Sequence, residues 1–515
     1  MWKGWIDVKK RCLLLLALCL LFVLPAAVRA ADAAEESVLV DWMYAGEDAV
    51  MLMDADTDAL NALFDVLTAA VTERQPEIDL SSFGIPADTM GSLFRGWMEE
   101  HPELYYVDKG IMVWKNSLTG IVSKIEPSYL EGLDEASAEV FEAVVAEALG
   151  CVLPGMDDVQ KALVLHDWVV QNVEYDETQR ASRRIYSAYG ALVEHLAVCE
   201  GYARAYQLLL KRCGIDCVFV TSDGMEHAWN AVKLGENWYH ADTTWDDSGT
   251  DDEVRHRYFL FCDDTFWSSR EHYGWVMKVS CDDASLDDAF WDGVESAICF
   301  PNVEEAWYLT EYFDKSIFKM QIALVSRSWE TGEVTAKATV TDRWYVWNDS
   351  ESLHPDAYTT LCVWDGSLYF NDSLHIYRYD PETGTTETAF TYDGSTGYFY
   401  GLRPEGDRLL VFVSTAPNVV GTWYDTGLEP TTPAEPEPQE ICEYDAEALT
   451  VTVNDVFAGE NMVLCAGYDA DGRLLYACFL TPDEDTVLPE AAASVRLFRL
   501  DGAYAPVGEF LELTA

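Results

Sequence analysis

The amino-acid sequence predicts an α+β chain with an N-terminal α/β region, a central core of helices and strands, and C-terminal all-β modules. Three observations predict it. Apolar residues recur at helical spacing in several segments before residue 215, with strand-like runs between them. Beyond residue 300 the helical spacing gives way to Trp-, Tyr- and Thr-rich runs punctuated by turn signals. A Pro/Glu-rich stretch over 426–440 then sets off a last segment of alternating apolar and polar residues. The 515 residues, 49% apolar and 24% charged, supply enough material for several hydrophobic cores.

Residues 1–30 carry the pattern of a secretion signal. Lys3, Lys9, Lys10 and Arg11 give a positive start, Leu13 to Val23 an apolar run, and Val28-Arg29-Ala30 small residues before a cleavage point after Ala30. A bulky Leu18 precedes Cys19, unlike a lipoprotein signal. No second long apolar run follows. The expectation is a secreted, extracellular or cell-surface-associated protein with no membrane segment in the mature chain.

Residues 37–140 read as an N-terminal α+β region. Asp58 to Thr72 has helical spacing, and Asp88 to Glu100 is a helix stopped by His101-Pro102. Ile111 to Trp114 and Ile121 to Ile125 read as strands joined by a turn at Asn116-Ser117. Residues 141–295 form the core, with helices over 134–149 and 157–173 leading into it. Residues 300–425 are a β-rich module with turns at Trp364-Asp365-Gly366 and Pro381-Glu382-Thr383-Gly384. After the linker, 441–515 alternates as a small β-sandwich-like module.

Net charge excludes whole classes of partner. Lys and Arg number 33 against 90 Asp and Glu, a formal charge of −57. A nucleic-acid backbone needs a basic stripe, so no nucleic-acid role is expected. An anionic membrane surface is an equally poor match. Of 13 cysteines, Cys12 and Cys19 leave with the leader, and an odd number remains, which implies at least one free thiol. No CxxC pair occurs, so no structural zinc, and no other metal or cofactor, is expected. Cys465 and Cys478 could face each other across a hairpin.

The residues that carry chemistry lie between Cys199 and Asp242. From Glu200 onward the sequence is helical, with Ala203, Tyr206, Leu209 and Leu210 on one face and Gly214 at its end. Cys199 therefore sits at a helix N-terminus, where unpaired N–H groups and the dipole favour a thiolate. A small buried hydrophobe is the plainer reading of a lone Cys. A strand from Cys217 to Thr221 follows, then His227 to Leu234, a turn at Gly235-Glu236-Asn237, and Trp238 to Trp245. This reads as a hairpin in which His227 and Asp242 share a face, directly opposite or one diagonal step apart. A carboxylate placed there accepts the second imidazole N–H and fixes the ring, which can then shuttle protons to a sulfur.

Tyr189-Gly190-Ala191-Leu192, Val198-Cys199-Glu200-Gly201-Tyr202-Ala203, His227-Ala228-Trp229-Asn230 and Trp238-Tyr239, Asp242 and Trp245 together resemble the transglutaminase-like superfamily. Leu165-His166-Asp167-Trp168 and Tyr175-Asp176 resemble the helix leading into the core of bacterial members. The resemblance covers roughly residues 145–290. It implies a papain-like core with Cys199 as nucleophile, His227 as general base and then acid, and Asp242 as the orienting carboxylate. It further implies acyl transfer through a thioester on a protein or peptide substrate, cell-wall peptide included, by hydrolysis or by transfer to an amine. The family also holds inactive members, so a non-catalytic binding protein on the same fold stays open. Tyr186 and Tyr189 are weak candidates for a side-chain oxyanion donor. His195 and His240 do not fit the triad spacing.

Two acidic motifs read otherwise. Asp54-Asp56-Asp58 has EF-hand-like spacing, but Ala59 stands where the turn requires Gly and Asp65, not Glu, closes the loop. Asp246-Asp247 and Asp251-Asp252-Glu253 read as a solvated acidic loop.

Overall fold

In a computed structural model of the chain, the described residues are 35–41, 57–178, 182–247, 254–276, 278–294, 296–314, 319–340, 359–381, 383–415 and 421–430, with the strands between 442 and 513. The leader, most of the linker, Asp54, Asp56 and the acidic run at 251–253 lie outside them. The chain divides into two compact units, 1–427 and 428–515.

The first unit opens with a four-stranded sheet in the order β1-β3-β4-β2, made of β1 (Glu35–Asp41), β2 (Ile78–Asp79), β3 (Val107–Asn116) and β4 (Val122–Tyr129). Helices α1 (Thr57–Thr72) and α2 (Met90–Glu99) accompany it. The β3–β4 turn forms where the sequence places it: Asn116 Oδ1 accepts from the N–H groups of Leu118 and Thr119, and Gly120 takes a φ of +68°.

Helices α3 (Glu135–Leu149) and α4 (Asp158–Asn172) both start at capping boxes, Asp134 with Ser137 and Asp157 with Gln160. A short parallel pair, β5 (Glu174–Tyr175) and β6 (Leu196–Ala197), brackets α5 (Ala188–Leu192) and delivers the chain to α6 (Cys199–Arg212). The core sheet runs β10-β9-β8-β7, with β7 (Cys217–Ser222), β8 (His227–Leu234), β9 (Asn237–Ala241) and β10 (Phe259–Phe261). Short helices α7 (Thr243–Asp246) and α8 (Asp263–Ser268) flank β10 in sequence.

Helix α6 is buried on every side from Gly201 to Leu210, not only along the apolar face expected of it. Its polar side chains donate to carbonyls at the carboxyl end of α2: Arg204 Nη1 to Met98 O at 3.1 Å, Gln207 Nε2 to Glu99 O at 2.9 Å and Lys211 Nζ to Glu100 O at 2.7 Å. The chain leaves α6 through Gly214 at a φ of +77°.

The described residues from β11 onward form only strands. β11 (Cys299–Asn302), β12 (Glu305–Asp314), β13 (Lys319–Ser328) and β14 (Val334–Val340) make one antiparallel sheet in chain order. β15 (Leu361–Trp364), β16 (Ser367–Asn371), β17 (His375–Asp380) and β18 (Thr385–Thr391) make a second, with Asp365 and Gly366 both at positive φ in its first turn. β19 (Tyr398–Glu405), β20 (Arg408–Ser414) and β21 (Thr422–Asp425) make a third. The described residues of the second unit form two antiparallel sheets, and the register in the larger one sets Cys465 opposite Cys478. The mixed α+β class with C-terminal all-β strands agrees with the sequence reading.

Candidate active site

Three elements converge on one cleft. Helix α6 brings Cys199 at its first residue, strand β8 brings His227 at its first residue, and Asp242 lies one residue past β9. Asn230 of β8 donates from Nδ2 to Ala203 O of α6 at 3.0 Å, and Cys199 packs on Ala203, Phe219 and Ala228. These contacts fix the helix against the sheet. The β8–β9 register pairs Asn230 with Ala241, so its extension sets Asp242 opposite Trp229, one diagonal step from His227.

Asp242 is not a strand residue, however. It caps α7: its Oδ1 accepts from Thr244 N at 2.9 Å and Trp245 N at 3.3 Å. Its Oδ2 meets His227 Nε2 at 2.6 Å. With Nε2 engaged, Nδ1 is the nitrogen left for the Cys199 sulfur, which lies near enough to favour the protonated ring. Burial opposes charge on this imidazole, but the Asp242 carboxylate and then the sulfur outweigh it and push the His227 pKa up to about 10. Burial likewise opposes charge on Asp242, yet His227 and His272 hold its carboxyl well below the usual carboxylate range.

The cleft encloses about 540 Å³ of space open to solvent, and Cys199, His227, Tyr186, Thr221 and Ser222 line it. Cys199 is half-buried and is a free thiol. Next to it, Glu200 is clamped between Arg204, whose Nη2 lies 3.0 Å away, and Lys109 of β3. Burial works against ionisation of Glu200, but these two cations hold its pKa far down. Lys109 also lies 4.1 Å from the centre of the Tyr186 ring. Tyr189 stacks instead on Tyr105, with ring centres 5.4 Å apart.

Three further findings were not read from the sequence. His272 approaches Asp242 Oδ2 with its Nε2 at 2.9 Å, and nothing in its local sequence points to a partner thirty residues away. Lys109 reaches the site from the N-terminal sheet, which local spacing cannot reveal. Asp246 is wholly buried rather than part of a solvated loop: it faces His166 Nε2 at 3.1 Å and accepts from Tyr258 N, because α7 turns it inward. His195 and His240 lie outside the cleft lining. His195 Nδ1 meets Asn172 O at 2.8 Å.

Three clusters among the described residues have donor atoms close enough to share a cation: His166, Asp167 and His256; His227, Asp242 and His272; His240, Asp263 and Cys281. Proton accounting answers the third. Trp229 Nε1 donates to His240 Nδ1 at 3.0 Å, so Nε2 carries the proton and donates to Asp263 at 2.8 Å. No lone pair is left there for a metal.

Residues 148–243 match the family model described as the transglutaminase-like superfamily. Two curated relatives, the kyphoscoliosis peptidases of Mus musculus and Homo sapiens, are each 26% identical over 120 and 121 residues. Those alignments cover 20% of this chain and 18% of either relative, so the chain spans under a fifth of their length. The crystal structure of a TGase is similar over 28% of this chain and 47% of that one, at 11% identity and a TM-score of 0.18. Over residues 148–243 the chain is thus similar to the transglutaminase-like superfamily. Among the described residues, no helix is long and apolar enough to cross a membrane.

Proposed function

We propose that the transglutaminase-like core is a thiol-dependent acyl-transfer site acting on amide bonds of protein or peptide, with Cys199, His227 and Asp242 as its triad. One observation carries the reading. A single imidazole is held by a buried carboxylate at 2.6 Å through one nitrogen, and the sulfur of Cys199, which lines the open cleft, favours its protonated form.

Cys199 Sγ, as thiolate, attacks the amide carbonyl carbon, and the C–N bond breaks as His227 gives its proton to the leaving amine. The N–H groups of Cys199 and Glu200 at the start of α6 have no intrahelical partner and supply donors for the oxyanion. Water, deprotonated by His227, then opens the thioester to an acid; a second amine would give an isopeptide instead. The name peptidase borne by the two curated relatives favours hydrolysis. The export pattern of residues 1–30 favours a substrate outside the cell, and cell-wall peptide belongs to the class.

Incubation with casein and a fluorescent amine tests this. New fragments that disappear in Cys199→Ala support hydrolysis, and Cys199-dependent incorporation of the amine supports transfer. Neither product, on casein or on peptidoglycan peptides, would favour a non-catalytic binding protein.

A further inference from the structure

His272 is fully buried and lies in none of the helices or strands. Its Nε2 is 2.9 Å from Asp242 Oδ2, and its Nδ1 is 2.8 Å from Arg270 O. A carbonyl oxygen and an ionised carboxylate are both acceptors only. Both ring nitrogens must therefore donate, which a neutral imidazole cannot do. The neighbouring His240 shows the contrast, since its Nδ1 accepts from Trp229 and leaves that ring neutral.

The one alternative is a proton on Asp242. Its four contacts argue against that: Thr244 N and Trp245 N donate to Oδ1, while His227 and His272 converge on Oδ2. The titratable groups facing His272 are Asp242, His227 with its ring centre 5.7 Å away, Tyr258 at 5.4 Å, and His240, whose charging His272 opposes. Phe266, Trp245 and Trp229 close the rest of the wall, with ring centres 4.0, 4.3 and 4.9 Å away.

The segment around His272 is tied to the loop before His227. Ser222 Oγ donates to Tyr273 O at 2.6 Å, Tyr273 Oη to Gly224 O at 3.2 Å, and Val276 N to Thr221 O at 2.9 Å. His272 thus sits on a fixed support on the far side of the triad carboxylate.

We propose that His272 is a positioning residue for the triad: a buried imidazolium that shares Asp242 Oδ2 with His227, holds the carboxylate ionised and tempers its pull on the His227 proton. This rests on the triad reading above. Its physical sense is balance. One carboxylate and two imidazoliums carry a net positive charge, which the Cys199 thiolate neutralises. With His272 uncharged, Asp242 would bind the His227 proton more tightly, and transfer to a leaving amine would slow.

Two measurements test the proposal. The first is ¹⁵N NMR of the histidines in Cys199→Ala, where no thiol chemistry occurs. Protons on both His272 nitrogens at pH 8 are expected; a bare Nε2 beside a protonated Asp242 would overturn the proposal. The second is the pH profile of Cys199 alkylation by iodoacetate in wild type and in folded His272→Gln. The anionic reagent reports the His227 proton, because its attraction is lost when that proton leaves. The alkaline limb should move up by about one pH unit in His272→Gln, and His272→Lys should restore the wild-type limb in part. An unmoved limb in a variant of wild-type thermal stability would contradict it. If wild-type Cys199 proves no more reactive than the other thiols, the triad reading fails, whereas the NMR result still decides the protonation of His272.

Discussion

Asp242 is the residue on which the site turns. It is fully buried, accepts four hydrogen bonds, and joins two histidines that are far apart in sequence. Asp242→Asn keeps the shape but removes the charge and can present an N–H to a ring nitrogen that is itself a donor. The expected outcome is a loss of at least about a hundredfold in Cys199-dependent turnover with a fall in melting temperature, read by amide cleavage and by calorimetry side by side. The sequence pointed to this carboxylate because a hairpin register puts it on the same face as His227. It misread the setting: Asp242-Thr243-Thr244 is a helix start, and the capping bonds, not a strand, orient the side chain. His272 left no comparable signal, since its partner is set by how the segment over 269–276 packs rather than by spacing.

At the scale of elements, the position of Cys199 depends on how closely α6 can approach its neighbours. A Cβ at Gly201 would stand 2.5 Å from Ile185 O and 2.7 Å from Ala197 Cβ, so only glycine lets the helix start there. Gly201→Ala should push the first turn outward, costing about 1–3 kcal/mol of stability and slowing Cys199 alkylation about tenfold or more. Urea melts and alkylation rates on the same preparation check both parts; unchanged values would mean that the approach is not constrained. Helix α6 and the β8–β9 hairpin were readable because apolar spacing, Gly214 and the turn at Gly235 are local signals. The all-round burial of α6 was not, because Arg204 and Gln207 look like a solvated face until α2 supplies their carbonyl partners.

For the molecule as a whole, buried histidine–carboxylate networks tie stability to pH. His166 lies between Asp167 at 2.9 Å and Asp246 at 3.1 Å, and His256 also meets Asp167 at 2.9 Å. Burial opposes charge on His166, but the two carboxylates outweigh it and hold its pKa up at about 9. A pKa raised on folding means that the native state binds more protons than the unfolded chain. The stabilisation is complete below the unfolded value of 6.5 and is lost as pH rises through about 9. Melting temperature should therefore fall from pH 6.5 to pH 9, and His166→Gln should lower it at pH 6.5 while flattening the decline; equal slopes would exclude His166 as the source. The His166-Asp167 motif was noticed in the sequence as part of a resemblance, but its partner Asp246 was assigned to water, because a run of acids gives no hint of which one turns inward.

The central claim, that Cys199 is an activated nucleophile served by His227, is tested most directly by competitive alkylation. Burial pushes up the thiols of Cys151, Cys217, Cys281, Cys299 and Cys362, which removes them as rivals near neutral pH. Limiting iodoacetamide at pH 7, followed by peptide mass spectrometry, should label Cys199 at least about a hundredfold faster than any of these, and His227→Ala should slow that labelling. Labelling of Cys199 at the rate of the buried cysteines, or a rate indifferent to His227→Ala, would contradict it.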